Sequence, residues 1–225
     1  MIVLKEMTKK YDLGKSSTVT AVSDVSLEVC RGEFAVIIGR SGSGKTTLLN
    51  LAAGLTRPTS GQVVLDGVDL WKLNDQEQSS LRNRKIGFVF QFPSLLPALT
   101  VHENVMVPAT FQKSHSAAMA RERAETLLGS VGLSDKLAAY PRQLSAGQQQ
   151  RVVIARALMN QPEVIMADEP TSNLDEKTEV EIMDLFHDLH TRLGLTIVLV
   201  THTTQLVSSG TRKIEMAAGQ IISQS

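Results

Sequence analysis

Gly39-Arg40-Ser41-Gly42-Ser43-Gly44-Lys45-Thr46 fits G-x-x-x-x-G-K-[S/T], a phosphate-binding loop between a strand and a helix. The flanking sequence agrees. Phe34-Ala35-Val36-Ile37-Ile38 is a short apolar run suited to a buried parallel strand. The stretch from Thr46 to Ala53 reads as a helix that Gly54 ends. Glycines let the backbone bend around a phosphate with its N–H groups inward, and the helix start adds positive dipole there. Gly39, Arg40, Ser41, Gly42, Ser43, Gly44, Lys45, Thr46 and the following Thr47 are therefore candidate nucleotide-binding residues. Lys45 is expected to reach the β- and γ-phosphates, and the Thr46 hydroxyl to face Mg²⁺.

The 225 residues suit one large domain, or a core with a subdomain. With 23 acidic and 23 basic residues the net charge is zero, so no broad field points to nucleic acid. Cys30 is the only cysteine, which excludes an internal disulfide and fits a buried thiol in a reducing compartment. The first residues lack a signal peptide's apolar stretch, and no run approaches the ~20 apolar residues that span a bilayer. If the protein works at a membrane, another chain supplies the span.

Outward from the loop, residues 1–35 read as strands and turns, with Val19, Ala21, Val22, Val25, Leu27 and Val29 mostly alternating. Asp66-Gly67 marks a hairpin between Gln62–Leu65 and Val68–Leu70, so a small antiparallel sheet is expected beside the nucleotide core. Gln76 to Arg84 is helix-compatible, and Ile86 to Phe90 is another buried-strand candidate with Gln91 directly after it. Phe92 to Thr100 is apolar and broken by proline, so it should be irregular. From Val101 to Asn160 the pattern is helical, with Ala120, Ala124, Leu127, Leu128 and Val131 forming one stripe. Ser145 and Gln148 have capping-box spacing and open a helix. Val164 to Ala167 delivers Asp168 and Glu169 at a strand's carboxyl end, where α/β sheets place ligand contacts. A helix through Leu193 stops at Gly194, and Leu195 to Val200 is a core strand with Thr201-His202 at its tip. One or two short strands follow Arg212.

Phosphoryl transfer requires phosphate positioning, Mg²⁺ and an oriented nucleophile. Asp168 suits the metal, since Mg²⁺ takes carboxylate, hydroxyl and water. Glu169 is placed to polarise a water, and His202 to hydrogen-bond the γ-phosphate. Singly, an Asp-Glu pair is ordinarily solvated and a lone histidine structural. Their joint arrival at strand tips of a P-loop sheet favours the functional reading.

Over essentially its whole length the sequence resembles an ATP-binding-cassette (ABC) ATPase. Gln91 matches that family's Q-loop glutamine, Leu144-Ser145-Ala146-Gly147-Gln148 its signature, and Val164 to Glu169 its Walker B strand and catalytic carboxylate. Ser172-Asn173-Leu174-Asp175 matches the D-loop, and His202 the switch histidine. Ala146 stands where glycine is commoner. The resemblance implies an α/β fold: a P-loop NTPase (RecA-like) core with a small antiparallel β subdomain and an α-helical signature subdomain. Residues 1–90 and 161–225 would form the core and 91–160 the helical part. It implies a head-to-tail homodimer with ATP between the phosphate loop of one copy and the signature of the other. Tyr11 would stack on adenine; Thr46, Gln91 and Asp168 would serve Mg²⁺; Glu169 would activate water and His202 sense the γ-phosphate. Ser145, Gly147 and Gln148 would act in trans, with Asp175 in the D-loop.

The stretch Gly87 to Val105 is similar to ATPases of the lipoprotein-release and macrolide-export group. That implies a separate permease, peripheral attachment at the cytoplasmic face of the cell membrane, and export or extraction of a lipid-linked, amphipathic or hydrophobic substrate. Phe92 to Leu99 would receive the permease; the alternative is an internal plug of the helical subdomain. Space for a C-terminal regulatory domain is not expected. An ATP-driven membrane switch that signals without transport is the competing function. A cassette acting on DNA or ribosomes fits less well, because only about fifty residues separate Gln91 from Leu144.

Overall fold

The computed structural model describes residues 1–12, 14, 17–112, 116–202 and 210–225. Its strands are β1 (Ile2–Asp12), β2 (Thr18–Val29), β3 (Phe34–Ile38), β4 (Ser60–Leu65), β5 (Val68–Asp69), β6 (Ile86–Val89), β7 (Val164–Asp168), β8 (Thr196–Thr201), β9 (Arg212–Ala217) and β10 (Gln220–Gln224). Its α-helices are α1 (Lys45–Ala52), α2 (Asp75–Lys85), α3 (Val101–Met106), α4 (Ala117–Ser130), α5 (Ala146–Ala157) and α6 (Glu176–Leu193). Among the described residues no helix is long and apolar enough to cross a membrane.

The chain divides into two compact units, Met1–Ser79 with Thr196–Ser225, and Ser80–Leu195, the division falling within α2. In the first, β2-β1-β4-β5 form an antiparallel sheet in that order. Ile2, Leu4 and Met7 of β1 are buried, and the register slips after Leu4, around Glu6 at φ 50°. The Asp66-Gly67 turn closes β4 onto β5, pairing Leu65 with Val68 as the dipeptide predicts. A second set of strands runs β10-β9-β3-β8, with β3 parallel to both β8 and β9. Every side chain of β3 and β8 is buried, the continuous apolar pattern of a parallel strand covered on both faces. Helix α1 packs on β1 and β8, with Leu48, Leu49 and Ala52 lining one small apolar space with Ile2, Leu4 and Val198.

In the second unit β6 and β7 pair in parallel, and α5 packs on β6, α3, α4 and α6. The stripe on α4 is buried as its spacing requires: Ala120, Ala124, Leu127, Leu128 and, just past the helix, Val131. The stretch from Val101 to Asn160 is less uniform than a helical pattern suggests. Pro108 and Pro141 lie in 3₁₀ turns at Val107–Phe111 and Pro141–Gln143 that divide it. Helix α6 ends at Gly194 in the left-handed conformation. Cys30 overturns its expectation. It is exposed, because Val29 closes β2 facing inward and the chain turns outward after it.

Candidate functional site

The phosphate loop leaves β3 and enters α1 as its motif requires. Gly44 caps α1 at φ 99°, where a Cβ would meet the Ala21 carbonyl oxygen at 2.2 Å. Neither a side-chain cap nor an acidic residue occupies the first turn of α1, which leaves its dipole and N–H groups able to receive an anion. Lys45 is 4% exposed, and its ammonium donates to the carbonyls of Gly39 at 2.8 Å and Arg40 at 3.1 Å. The Ser43 hydroxyl is buried without a partner. Arg40, Ser41, Gly42 and Thr46 are exposed, and Thr47 is half-buried.

Ile38 pairs with Thr201, so Gly39 and His202 leave adjacent strand tips. His202 is exposed. Tyr11 is exposed near the end of β1, with the Lys9 ammonium 4.9 Å from its ring centre. One brace escapes sequence reasoning: the Gly219 N–H donates to the Ser43 carbonyl at 3.0 Å, tying the loop to the β9–β10 turn. Ala217-Ala218-Gly219-Gln220 signals a turn, but nothing in it signals that partner.

The remaining candidates belong to the second unit. Val89 pairs with Ala167, so Gln91 and Glu169 follow neighbouring strand tips. Gln91 is half-buried, and its carbonyl accepts from the Asn173 amide at 3.5 Å. Asp168 is 8% exposed. Glu169 takes φ 44°, a left-handed conformation that costs a side-chain-bearing residue energy and that active sites often retain. Asp175 caps α6: its carboxylate accepts from the Thr178 N–H at 3.0 Å and the Thr178 hydroxyl at 2.8 Å. Those bonds hold its pKa below the ordinary carboxylate value.

Ser145 caps α5. Its hydroxyl accepts from the Gln148 N–H at 3.2 Å, and the Gln148 side chain accepts from the Ser145 N–H at 3.0 Å. Ser145 and Ala146 are exposed. Gly147 is buried, and a Cβ there would lie 2.4 Å from Cγ2 of Thr178. The Ala146 departure thus falls where a methyl group has room, whereas the adjacent glycine has none.

Phe92 is 64% exposed and Leu96 47%, which disagrees with an internal plug. Nearby, Phe88, Phe90, Pro108, Phe111 and Arg156 line an open groove.

Known proteins resemble this chain over nearly all of its length. The family described as "ABC transporter" matches residues 22–172. The lipoprotein-releasing system ATP-binding protein of Chlorobium chlorochromatii is 44% identical over 98% of this chain and 90% of its own. The macrolide export ATP-binding/permease protein of Syntrophobacter fumaroxidans is 45% identical over 98% of this chain and 31% of its own. A dimeric, post-hydrolysis structure of an ATP-binding cassette bound to ADP and phosphate is 42% identical, with TM-score 0.92 over 100% of this chain and 98% of that one.

Proposed function

This chain belongs to the ABC transporter family, and on that premise we propose that it drives a separate membrane permease by hydrolysing ATP as a head-to-tail homodimer. Its fold is the P-loop NTPase α/β fold; it is an ABC ATP-binding protein of the lipoprotein-release and macrolide-export type, and an ATPase. The work proposed is export or extraction of a lipid-linked, amphipathic or hydrophobic substrate at the cytoplasmic face of the membrane. The proposed layout keeps residues 91–160 as the helical subdomain and 1–90 with 161–225 as the core.

The observation that carries this reading is the exposed start of α5. Ser145 opens a helix with no acidic residue in its first turn, a second anion-receptive helix end besides that of α1. In the proposed dimer it meets a phosphate held by the partner's loop, through Ser145, Gly147 and Gln148, with Asp175 close to the seam.

The loop residues fit a triphosphate: a buried ammonium, an unpartnered buried hydroxyl and an open helix end. Lys45 and the loop amides bind phosphate oxygens, and Tyr11 stacks on the base. Thr46, Gln91 and Asp168 offer only oxygen donors, the set Mg²⁺ takes. The ion supplies charge neutralisation between phosphates. Glu169 accepts a proton from the attacking water, and its left-handed backbone fixes where the carboxylate starts. His202 donates to the γ-phosphate. The exposed Phe92–Leu99 segment and the adjoining groove support permease docking.

The test is purification from native membranes. A co-purifying permease, and ATP-dependent movement of substrate in vesicles made from the pair, support the proposal. ATP turnover with a bound membrane partner and no net movement would favour a signalling switch. Absence of any membrane partner would refute both.

A further inference from the structure

Two polar side chains, one buried and one half-buried, hold the segment that follows Gln91. Asn104 on α3 is fully buried; its Oδ1 accepts from the Leu96 N–H at 2.8 Å, and its amide donates to the carbonyls of Leu96, Leu99 and Thr100. Arg156, in the last turn of α5, donates to the carbonyls of Pro93 at 3.1 Å and Ser94 at 3.0 Å. Ser94 between them sits at φ 46°, with its hydroxyl donating to the Phe92 carbonyl at 3.1 Å. A left-handed serine persists only where its surroundings over-determine it. Burial lowers the Arg156 pKa from its ordinary value, so the two carbonyls replace solvation the guanidinium has lost.

The helix carrying Arg156 is anchored at that end. Arg123 of α4 donates to the carbonyls of Met159 at 2.7 Å and Leu158 at 2.9 Å, just beyond α5. Its other end is the capping box at Ser145. Twelve residues at 1.5 Å each make α5 a strut of about 18 Å fixed at both ends. Arg156 also lines the groove beside Phe90 and Phe111.

We propose that Arg156 is a positioning residue that locks the Gln91–Leu99 segment to the helix beginning at Ser145, so that nucleotide engagement and the Phe92 docking surface shift as one piece. This rests on the roles given above to Gln91 and Ser145. A planar fork on two carbonyls fixes orientation as well as distance, which a lysine cannot do. A packing role alone would stabilise the segment equally with and without nucleotide.

The test uses the full chain carrying Glu169→Gln, to which Arg156→Met, Arg156→Lys and Gln91→Ala are added singly. Amide hydrogen exchange of residues 94–99 is followed with and without MgATP. We expect MgATP to slow it about tenfold in the parent, the scale of one charge-assisted hydrogen bond, and Arg156→Met to erase that difference. Arg156→Lys should keep part of it. Undiminished slowing in Arg156→Met would overturn the proposal; should that variant not fold, undiminished slowing in Arg156→Lys would do so. Absence of slowing in the parent, where Gln91→Ala does weaken MgATP binding, would also overturn it. Unchanged MgATP affinity in Gln91→Ala instead refutes the role of Gln91 itself, so the two failures are separable.

Discussion

Replacing Gly147 with alanine sets two physical effects against each other. Helix propensity favours alanine over glycine in a helix by about 1 kcal/mol. Packing opposes it, because the new Cβ would lie 2.4 Å from Cγ2 of Thr178, over 1 Å inside the usual ~3.5–4.0 Å carbon separation. Thr178 cannot turn aside freely. Its χ1 is stiff, and its hydroxyl and N–H both donate to the Asp175 carboxylate. Overpacking costs roughly 1–3 kcal/mol, and a 2.4 Å approach to a side chain that cannot swing away belongs to the upper part of that range, about 2–3 kcal/mol, so Gly147→Ala should be net destabilising by about 1–2 kcal/mol. For a chain of this size that lowers Tm by roughly 2–8 °C. Thr178→Ser removes the clashing methyl and keeps the hydroxyl, so Gly147→Ala/Thr178→Ser should recover most of the loss, a coupling of about 1 kcal/mol or more. Ala146→Gly at the exposed neighbour should shift stability by less than ~1 kcal/mol. Urea melts of the four variants decide it. A Gly147→Ala chain as stable as the parent, or no recovery with Thr178→Ser, refutes the argument.

Glu169→Gln should lower ATP turnover at least ~100-fold and accumulate an ATP-bound dimer, seen by gel filtration; near-normal turnover contradicts its role as the base. Lys45→Ala should lose nucleotide affinity in equilibrium titration, and unchanged binding would undo the loop assignment. Phe92→Ala should uncouple the purified complex while sparing intrinsic ATPase, whereas loss of both would point to a role inside the cassette. Asp175 has a depressed pKa in the folded chain, so the stability it contributes is present above its unfolded value and lost as pH falls through the depressed one. Asp175→Asn should therefore flatten the fall of Tm with acid below about pH 4, and an unaltered profile would count against the cap.

Local chemistry made most of the fold legible. Gly44, Gly194 and Asp66-Gly67 each have a backbone conformation that their residue type advertises, and the unbroken apolar runs of β3, β7 and β8 announce buried strands. The capping box at Ser145 was readable from spacing alone. What depends on distant partners was not. β1 pairs Ile2 with both Val29 and Leu65, and a bulge at Glu6 hides the alternation that would mark it. The brace from Gly219 to Ser43 and the fork of Arg156 on Pro93 and Ser94 join residues far apart in sequence. Cys30 was misread because residue type predicts average burial, while a turn decides the individual case.

The positive φ of Glu169 has a practical outcome for anyone engineering this protein. Glycine at that position would relax the main chain and delete the carboxylate proposed as proton acceptor in one step. If Glu169 has the proposed role, a heat-resistance screen run without a turnover assay would therefore enrich inert cassettes, trading the engine for a sturdier casing.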